Sequence, residues 1–292
     1  MKRFVRKAFG NLPFLKSLYC RYLAWRTNVE MSEGQTRLNI PKVFPEFAAN
    51  SWGRYEPRAR LTLKSISQTV PAIYQLAAEV GDRVLSTSTF QAFAEAGAEA
   101  NDVALLKKYF DLHGSDKASR HDYYVVYASL LGDRNEVAKV FEIGLGTNYT
   151  DVVSTMGKGG HPGASLRAFR DYCPNAMIYG ADFDRRILFD EDRIRTFFVD
   201  QTESETFSPL GDWIGSDFDL MIDDGLHAPD ANLHSLTFFL PRIRVGGWAV
   251  VEDISPASES IWRLVASILP SRYECHLLVG GGILMFLVKR LA

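Results

Sequence analysis

From about residue 137 onward the chain repeats one pattern, a short apolar run followed by a helical segment and then another apolar run. The candidate strands are Ala138–Ile143, Met177–Ala181, Thr196–Val199, Phe218–Ile222, Trp248–Val251, Tyr273–Leu278 and Ile283–Val288. Helices fit between several of the first six, among them Ala164–Tyr172, Ala228–Leu240 and Glu259–Leu269. Strands joined by helical crossovers pair in parallel, so the pattern calls for βαβ units and a doubly wound α/β sheet. The last two runs are separated only by Val279, Gly280, Gly281 and Gly282. That link is too short for a crossover and reads as a hairpin, which makes the final strand antiparallel.

The first part of the chain reads differently. Helical stretches are expected near 61–80, where Pro71 should kink or split the helix, at about 86–96, and from Asn101 to Leu112 ahead of Gly114. The expected division is therefore a basic aromatic segment over 1–30, a mostly helical accessory region over 31–112 and a catalytic domain over 113–292. Before its first acid, Glu30, the chain carries Lys2, Arg3, Arg6, Lys7, Lys16, Arg21 and Arg26 among several aromatic residues. Two readings stay open for that segment. It suits peripheral contact with anionic lipid, and equally a helix packed on its own protein or on the second copy of a homo-oligomer, with a solvated basic edge.

Composition narrows the function classes. With 47% hydrophobic residues the chain is not disordered, and a formal net charge of -2 gives no reason to expect nucleic-acid binding. Cys20, Cys173 and Cys275 are widely spaced and odd in number, which excludes a disulfide framework and a zinc knuckle. No apolar run reaches the roughly 18 residues of a membrane span. The expected location is cytoplasmic, with residues 1–30 the place for any membrane contact.

The first strand ends in Glu142, Gly144 and Gly146. Glycines there let the backbone approach a ligand in the crevice where open α/β sheets bind. The dinucleotide fingerprint needs a third glycine where this chain has Tyr149, so that motif fails. The second strand ends on Asp182, suited to ribose hydroxyls, and the third on Asp200 and Gln201, suited to an adenine edge. In that order the three features point to a nucleoside.

Two acidic pairs carry the chemistry. Asp223 and Asp224 close the fourth strand, with His227 three residues on, and Glu252 and Asp253 close the fifth. Adjacent strands lie about 4.8 Å apart, so carboxylates at two strand ends can share a cation. Hard oxygen donors suit Mg²⁺, or Mn²⁺, better than zinc. Because side chains alternate along a strand, Glu252 and Asp253 can converge only if the chain leaves the strand there, which Ser255 and Pro256 would permit. The expected ligands are Asp224, Glu252 and Asp253, with Asp223 supporting the cofactor loop or backbone. His227 precedes a helix that opens near Pro229. A helix amino terminus disfavours positive charge, which suits this histidine to act as a general base.

The stretch from His113 to Asp253 resembles the metal-dependent class I methyltransferases that use S-adenosylmethionine, in particular the sugar O-methyltransferases of macrolide biosynthesis and relatives in bacterial polysaccharide clusters. The pieces that carry the resemblance are His113–Tyr124, Phe141–Gly146, Gly163–Arg170, Tyr179–Asp184, Val199–Thr202, Ile222–His227 and Val250–Ile254. It implies a Rossmann-like sheet, Mg²⁺ on Asp224, Glu252 and Asp253, His227 as base, and Gly144, Asp182, Asp200 and Gln201 around the cofactor. It also implies that the segment around Lys117 folds over the cofactor, with Lys117 near its carboxylate or the acceptor. The expected acceptor is a sugar, nucleotide sugar or glycan. Two other readings remain, a hydroxylase-like enzyme on the same scaffold and a non-catalytic cofactor-binding partner.

Overall fold

Strands β1 (Thr87–Thr89), β2 (Lys139–Ile143), β3 (Met177–Asp182), β4 (Asp190–Glu191), β5 (Ile194–Phe198), β6 (Phe218–Asp223), β7 (Ile243–Ile254), β8 (Tyr273–Gly280) and β9 (Ile283–Arg290) form one sheet. Its order is β1-β8-β9-β7-β6-β2-β3-β5-β4. The structure, a computed structural model, describes residues 39–44, 47, 55–80, 85, 87–95, 100–152 and 154–292. The basic segment of residues 1–30 lies outside the described residues. Strands β2, β3, β5, β6 and β7 pair in parallel, and β9 runs antiparallel to both β7 and β8. This is the expected doubly wound sheet closed by an antiparallel hairpin.

Alternation along the strands explains why helices cover both faces. Val140, Ile178, Leu220, Ile222 and Val250 enter one core, while their neighbours Phe141, Ala181, Met221, Ala249 and Val251 enter another. The first core is capped by helices α2 (Phe90–Ala94), α3 (Ala100–His113), α5 (Tyr123–Leu131) and α6 (Ala164–Tyr172). The short α4 (Asp116–Ser119) lies between α3 and α5. The second core is capped by α7 (Phe207–Ile214), α8 (Pro229–Phe239) and α9 (Glu259–Ile268). Phe110 of α3 and Tyr127 of α5 both meet the Phe169 ring of α6 edge-on, at 5.3 and 5.5 Å. Burying aromatic rings of this size contributes about 1.5–3 kcal/mol each.

Chain contacts divide the protein into Met1–Ile73 and Tyr74–Ala292. The described residues 87–95 and 100–112, expected in a separate accessory region, belong with the sheet, because Phe90, Ala94, Leu106 and Phe110 are buried in its first core. Within the first unit the described residues include a helical turn over 39–43. Helix α1 (Tyr55–Val80) is continuous and holds Pro71 inside it, so of the kink or split expected there the split does not occur. A proline removes one N–H bond from the ladder, and that loss alone does not end a long helix. The helix expected over 86–96 is shorter at its start. β-Branched Thr87 and Thr89 pair with β8 as β1, and the Thr89 side chain then caps α2 by accepting from the Ala92 N–H at 3.2 Å. No described helix is long and apolar enough to cross a membrane.

Candidate active site

β2 and β6 are neighbours, with β3 and β5 beyond one and β7 beyond the other. Such a switch in strand order leaves a crevice above the carboxyl ends of the strands. A cavity of about 710 Å³ sits there, lined by Gly144, Gly146, Asp182, Asp200 and Gln201 together with Lys117, Asp224, His227 and Asp253. That volume is in the range of small-molecule sites.

The glycine loop is shaped by its neighbours in the protein. Gly144 has φ +95°, and a Cβ there would lie 2.0 Å from the Asp224 carbonyl oxygen. The Asp224 N–H donates to Ile143 O at 2.8 Å. The close approach that requires glycine is therefore made by the turn carrying the acids. The Asp182 carboxylate accepts from the N–H groups of Leu145 and Asp184, both at 2.7 Å, and so holds the loop on β3. Burial pushes the Asp182 carboxyl up, and these backbone N–H bonds oppose the shift.

Gln201 is committed on both ends. Its amide nitrogen donates to Asp223 Oδ1 at 2.8 Å and to Ser235 Oγ at 2.7 Å, and its oxygen accepts from the Leu226 N–H at 2.9 Å. Asp223 is fully buried and accepts as well from the Gly225 N–H and from Asn232. These bonds pin the turn from Asp224 to His227. Asp200 accepts from the Thr202 N–H and hydroxyl through Oδ1.

Two backbone irregularities aim the acids. Pairing of β7 with β9 shifts register between Val251 and Ile254, and Asp253 takes a left-handed φ of +52°. The strand persists to Ile254, so this bulge, and not an exit at Ser255 and Pro256, turns Asp253 toward the cavity. His227 has φ +57°. Its Nε2 stands 3.9 Å from Asp224 Oδ1 and 3.8 Å from Asp253 Oδ2. One ligand atom from each of Asp224, His227 and Asp253 lies within 4.8 Å of the others.

Glu252 and Glu142 occupy a different place from the one expected. Neither they nor Asp223 line the cavity. Glu252 is fully buried, accepting from the Tyr127 hydroxyl on one oxygen and from Lys117 Nζ at 2.6 Å on the other. Glu142, also fully buried, accepts from the Ser165 hydroxyl and lies 3.1 Å from Lys117 Nζ. Lys117 further donates to Asp224 Oδ2 at 2.5 Å. Its ammonium, expected to be open to a cofactor carboxylate or an acceptor, is thus taken up by three acids. Burial opposes its charge, but Asp224, Glu252 and Glu142 outweigh that and hold its pKa well above the ordinary value. Burial, reinforced by Asp224, drives the Glu252 carboxyl well up despite Lys117.

Three residues at the site were not singled out from sequence. Tyr123 donates its hydroxyl to Asp253, Tyr127 serves Glu252, and His121 stacks on Tyr123 with its Nδ1 3.9 Å from Asp253. The four-residue spacing of Tyr123 and Tyr127 on one helix was the available signal.

No family model matches the chain. It is 32% identical over 160 residues to the 8-demethyl-8-alpha-L-rhamnosyl tetracenomycin-C 2'-O-methyltransferase of Streptomyces olivaceus, covering 54% of this chain and 40% of that protein. It is 37% identical over 127 residues to the mycinamicin VI 2''-O-methyltransferase of Micromonospora griseorubida, covering 41% of this chain and 28% of that protein. Among solved structures it is similar to the MycE methyltransferase of the mycinamycin pathway in complex with Mg, SAH and mycinamycin VI. There the identity is 26% and the TM-score 0.51, over 63% of this chain and 53% of that one. The chain spans less than half the length of the curated relatives it matches. Over the matched stretch it is similar to these sugar O-methyltransferases, and its sheet has the class I methyltransferase fold.

Proposed function

We propose that the protein is an S-adenosylmethionine-dependent O-methyltransferase that uses Mg²⁺ or Mn²⁺ and methylates a hydroxyl of a sugar, nucleotide sugar or glycan. The observation that carries this reading is the gathering of Asp224, His227 and Asp253 on the wall of the switch-point cavity, beside the glycine loop. Support for a sugar acceptor comes from the relatives, whose names specify rhamnosyl tetracenomycin and mycinamicin substrates.

The residues present fit both groups. The carboxylates of Asp224 and Asp253 at the cavity wall offer hard oxygen donors that suit Mg²⁺ or Mn²⁺, and the His227 imidazole stands beside them with Nε2 left for proton transfer. The cavity is large enough for a nucleoside, with Asp182 on its wall to accept from ribose hydroxyls and Asp200 to meet the adenine edge. When bound, S-adenosylmethionine supplies an electrophilic methyl group and the cation lowers the pKa of an acceptor hydroxyl.

The chain's own residues do the rest. Asp224 and Asp253 hold the cation and orient the acceptor beside it. His227 takes the hydroxyl proton at Nε2, the ring nitrogen that faces both acids. Gln201, Asp223 and Asn232 keep the Asp224–His227 turn fixed, so acceptor and methyl donor meet in one geometry, an effect worth several powers of ten in rate. Calorimetry with S-adenosylmethionine and Mg²⁺, followed by an acceptor screen read by product mass, tests the proposal. A gain of one methylene supports it. A gain of one oxygen would make the protein a hydroxylase, and cofactor binding with no product from any acceptor would leave it a non-catalytic cofactor-binding partner. Flotation with anionic liposomes, comparing the full chain with one lacking residues 1–30, decides whether that basic segment meets a membrane.

A further inference from the structure

Lys117 is 1% exposed, on a four-residue helix that reaches the sheet from the side of α3 and α5. Lysine is almost never so buried unless paired. Here its Nζ lies 2.5 Å from Asp224 Oδ2, 2.6 Å from Glu252 Oε2 and 3.1 Å from Glu142 Oε1. These acids come from the carboxyl ends of three neighbouring strands, β6, β7 and β2. Asp224 is shared between two groupings. Its Oδ2 meets the ammonium, while its Oδ1 faces His227, which in turn faces Asp253.

We propose that the Lys117 ammonium is a built-in rival of the divalent cation, holding Asp224 and Glu252 in the metal-free protein and setting how tightly the cation binds. The proposal rests on the cation site assigned above. A positive charge at hydrogen-bond distance from Asp224 lowers the attraction that carboxylate offers a second cation. It also keeps Glu252 out of reach, since both Glu252 oxygens are occupied, one by Lys117 and one by the Tyr127 hydroxyl. A cation entering beside Asp224 and Asp253 must either accept a half-neutralised Asp224 or displace the ammonium. Displacement would free Glu252 as well, restoring to the site the carboxylate that the strand-end pattern suggests. Lys117 is thus a positioning residue whose effect is read in cation affinity.

The test is Mn²⁺ binding to the full chain, followed by electron paramagnetic resonance of the free ion without cofactor or acceptor. Lys117→Met is expected to bind Mn²⁺ at least tenfold more tightly than the wild type. A purely structural lysine gives the opposite sign, because loss of the tie between three strands would loosen the acids and weaken binding. Should Lys117→Met not fold with three buried acids uncompensated, the double variant Lys117→Met, Glu142→Gln removes one of those charges. It too is expected to bind more tightly than the wild type, since the place beside Asp224 and Glu252 is vacated. Unchanged or weaker Mn²⁺ binding in a folded variant overturns the rivalry while leaving the cation site standing. If the wild type itself binds no Mn²⁺, the assigned cation site falls, and the rivalry with it.

Discussion

Nε2 of His227 stands 3.8 Å from Oδ2 of Asp253, and both residues hold a left-handed backbone, with φ +57° and +52°. Left-handed geometry costs a non-glycine residue about 1–2 kcal/mol. Neither position is a free loop tip. His227 sits in a turn pinned by Gln201 and Asp223, and Asp253 sits in a strand whose register shifts around it. Strain held in place by surrounding bonds gathers at functional sites, and here it brings together two side chains from separate strand ends.

Replacing His227 separates its chemical role from its backbone cost. His227→Ala is expected to keep cofactor binding by calorimetry but to lose about 10²–10⁴ in turnover, the usual worth of a general base. His227→Gly should be as inactive yet more stable than the alanine variant by about 1 kcal/mol, because glycine tolerates φ +57°. Equal stability of the two variants would mean that the turn imposes no strain at this position.

Asp253→Asn keeps the side-chain shape and an oxygen for the Tyr123 hydroxyl, and asparagine accepts a left-handed backbone better than most residues. Its expected effect is a melting temperature close to wild type with Mn²⁺ affinity at least tenfold weaker. In the wild type, chelator should abolish methyl transfer and added Mg²⁺ should restore it. Full activity in excess chelator would remove the cation from the mechanism.

Gly144→Ala tests what the glycine loop is for. A Cβ would fall 2.0 Å from the Asp224 carbonyl oxygen and 2.9 Å from Gly225 Cα, on a backbone at φ +95°. No side-chain rotation relieves a clash with backbone, so thermal denaturation should show a loss of about 3 kcal/mol or more. If the glycine instead served only to admit a ligand, the variant would be stable and defective only in cofactor affinity.

The sheet was legible in sequence because apolar runs alternating with helices leave few other solutions, and the link through Gly280–Gly282 fixes the last strand as antiparallel. Asp224, His227 and Asp253 were legible because strand ends at one sheet edge must be neighbours. The fate of Glu252 was not. It depends on Lys117, 135 residues earlier in the chain, and on Tyr127, whose ring orientation follows from packing against Phe169. The shape of β7 was likewise hidden. A bulge adds no composition signal, so strand alternation alone turns Asp253 inward only where the strand ends, whereas here β7 runs on to Ile254. The two-residue strand β4 carries too few residues for any periodicity to register.

Asp184 ties the long loop after the glycine turn to the end of β3, and that tie should be visible in acid. Its carboxylate accepts from the Thr147 hydroxyl at 2.7 Å and from Arg186 through Nε at 2.7 Å and a second guanidinium nitrogen at 2.8 Å. Arg186 also reaches Asp151 in the loop and lies over the Tyr149 ring. The Arg186 bonds, aided by Thr147 against the opposing effect of burial, hold the Asp184 carboxyl down to about 2 from an ordinary 3.8. A carboxyl lowered by folding stabilises the native state above its unfolded pKa, and the stabilisation is lost as pH falls through the folded value. Asp184→Asn should therefore melt about 2–4 °C below the wild type at pH 7 for each kcal/mol removed. The gap should hold down to about pH 4, narrow between about pH 4 and 2, and close once both carboxyl states are protonated. Melting curves of the two proteins across that range, compared at each pH, isolate this carboxyl, because every other titrating group is common to both. A gap that stays constant through the window would mean that the loop is held by something other than the charge on Asp184.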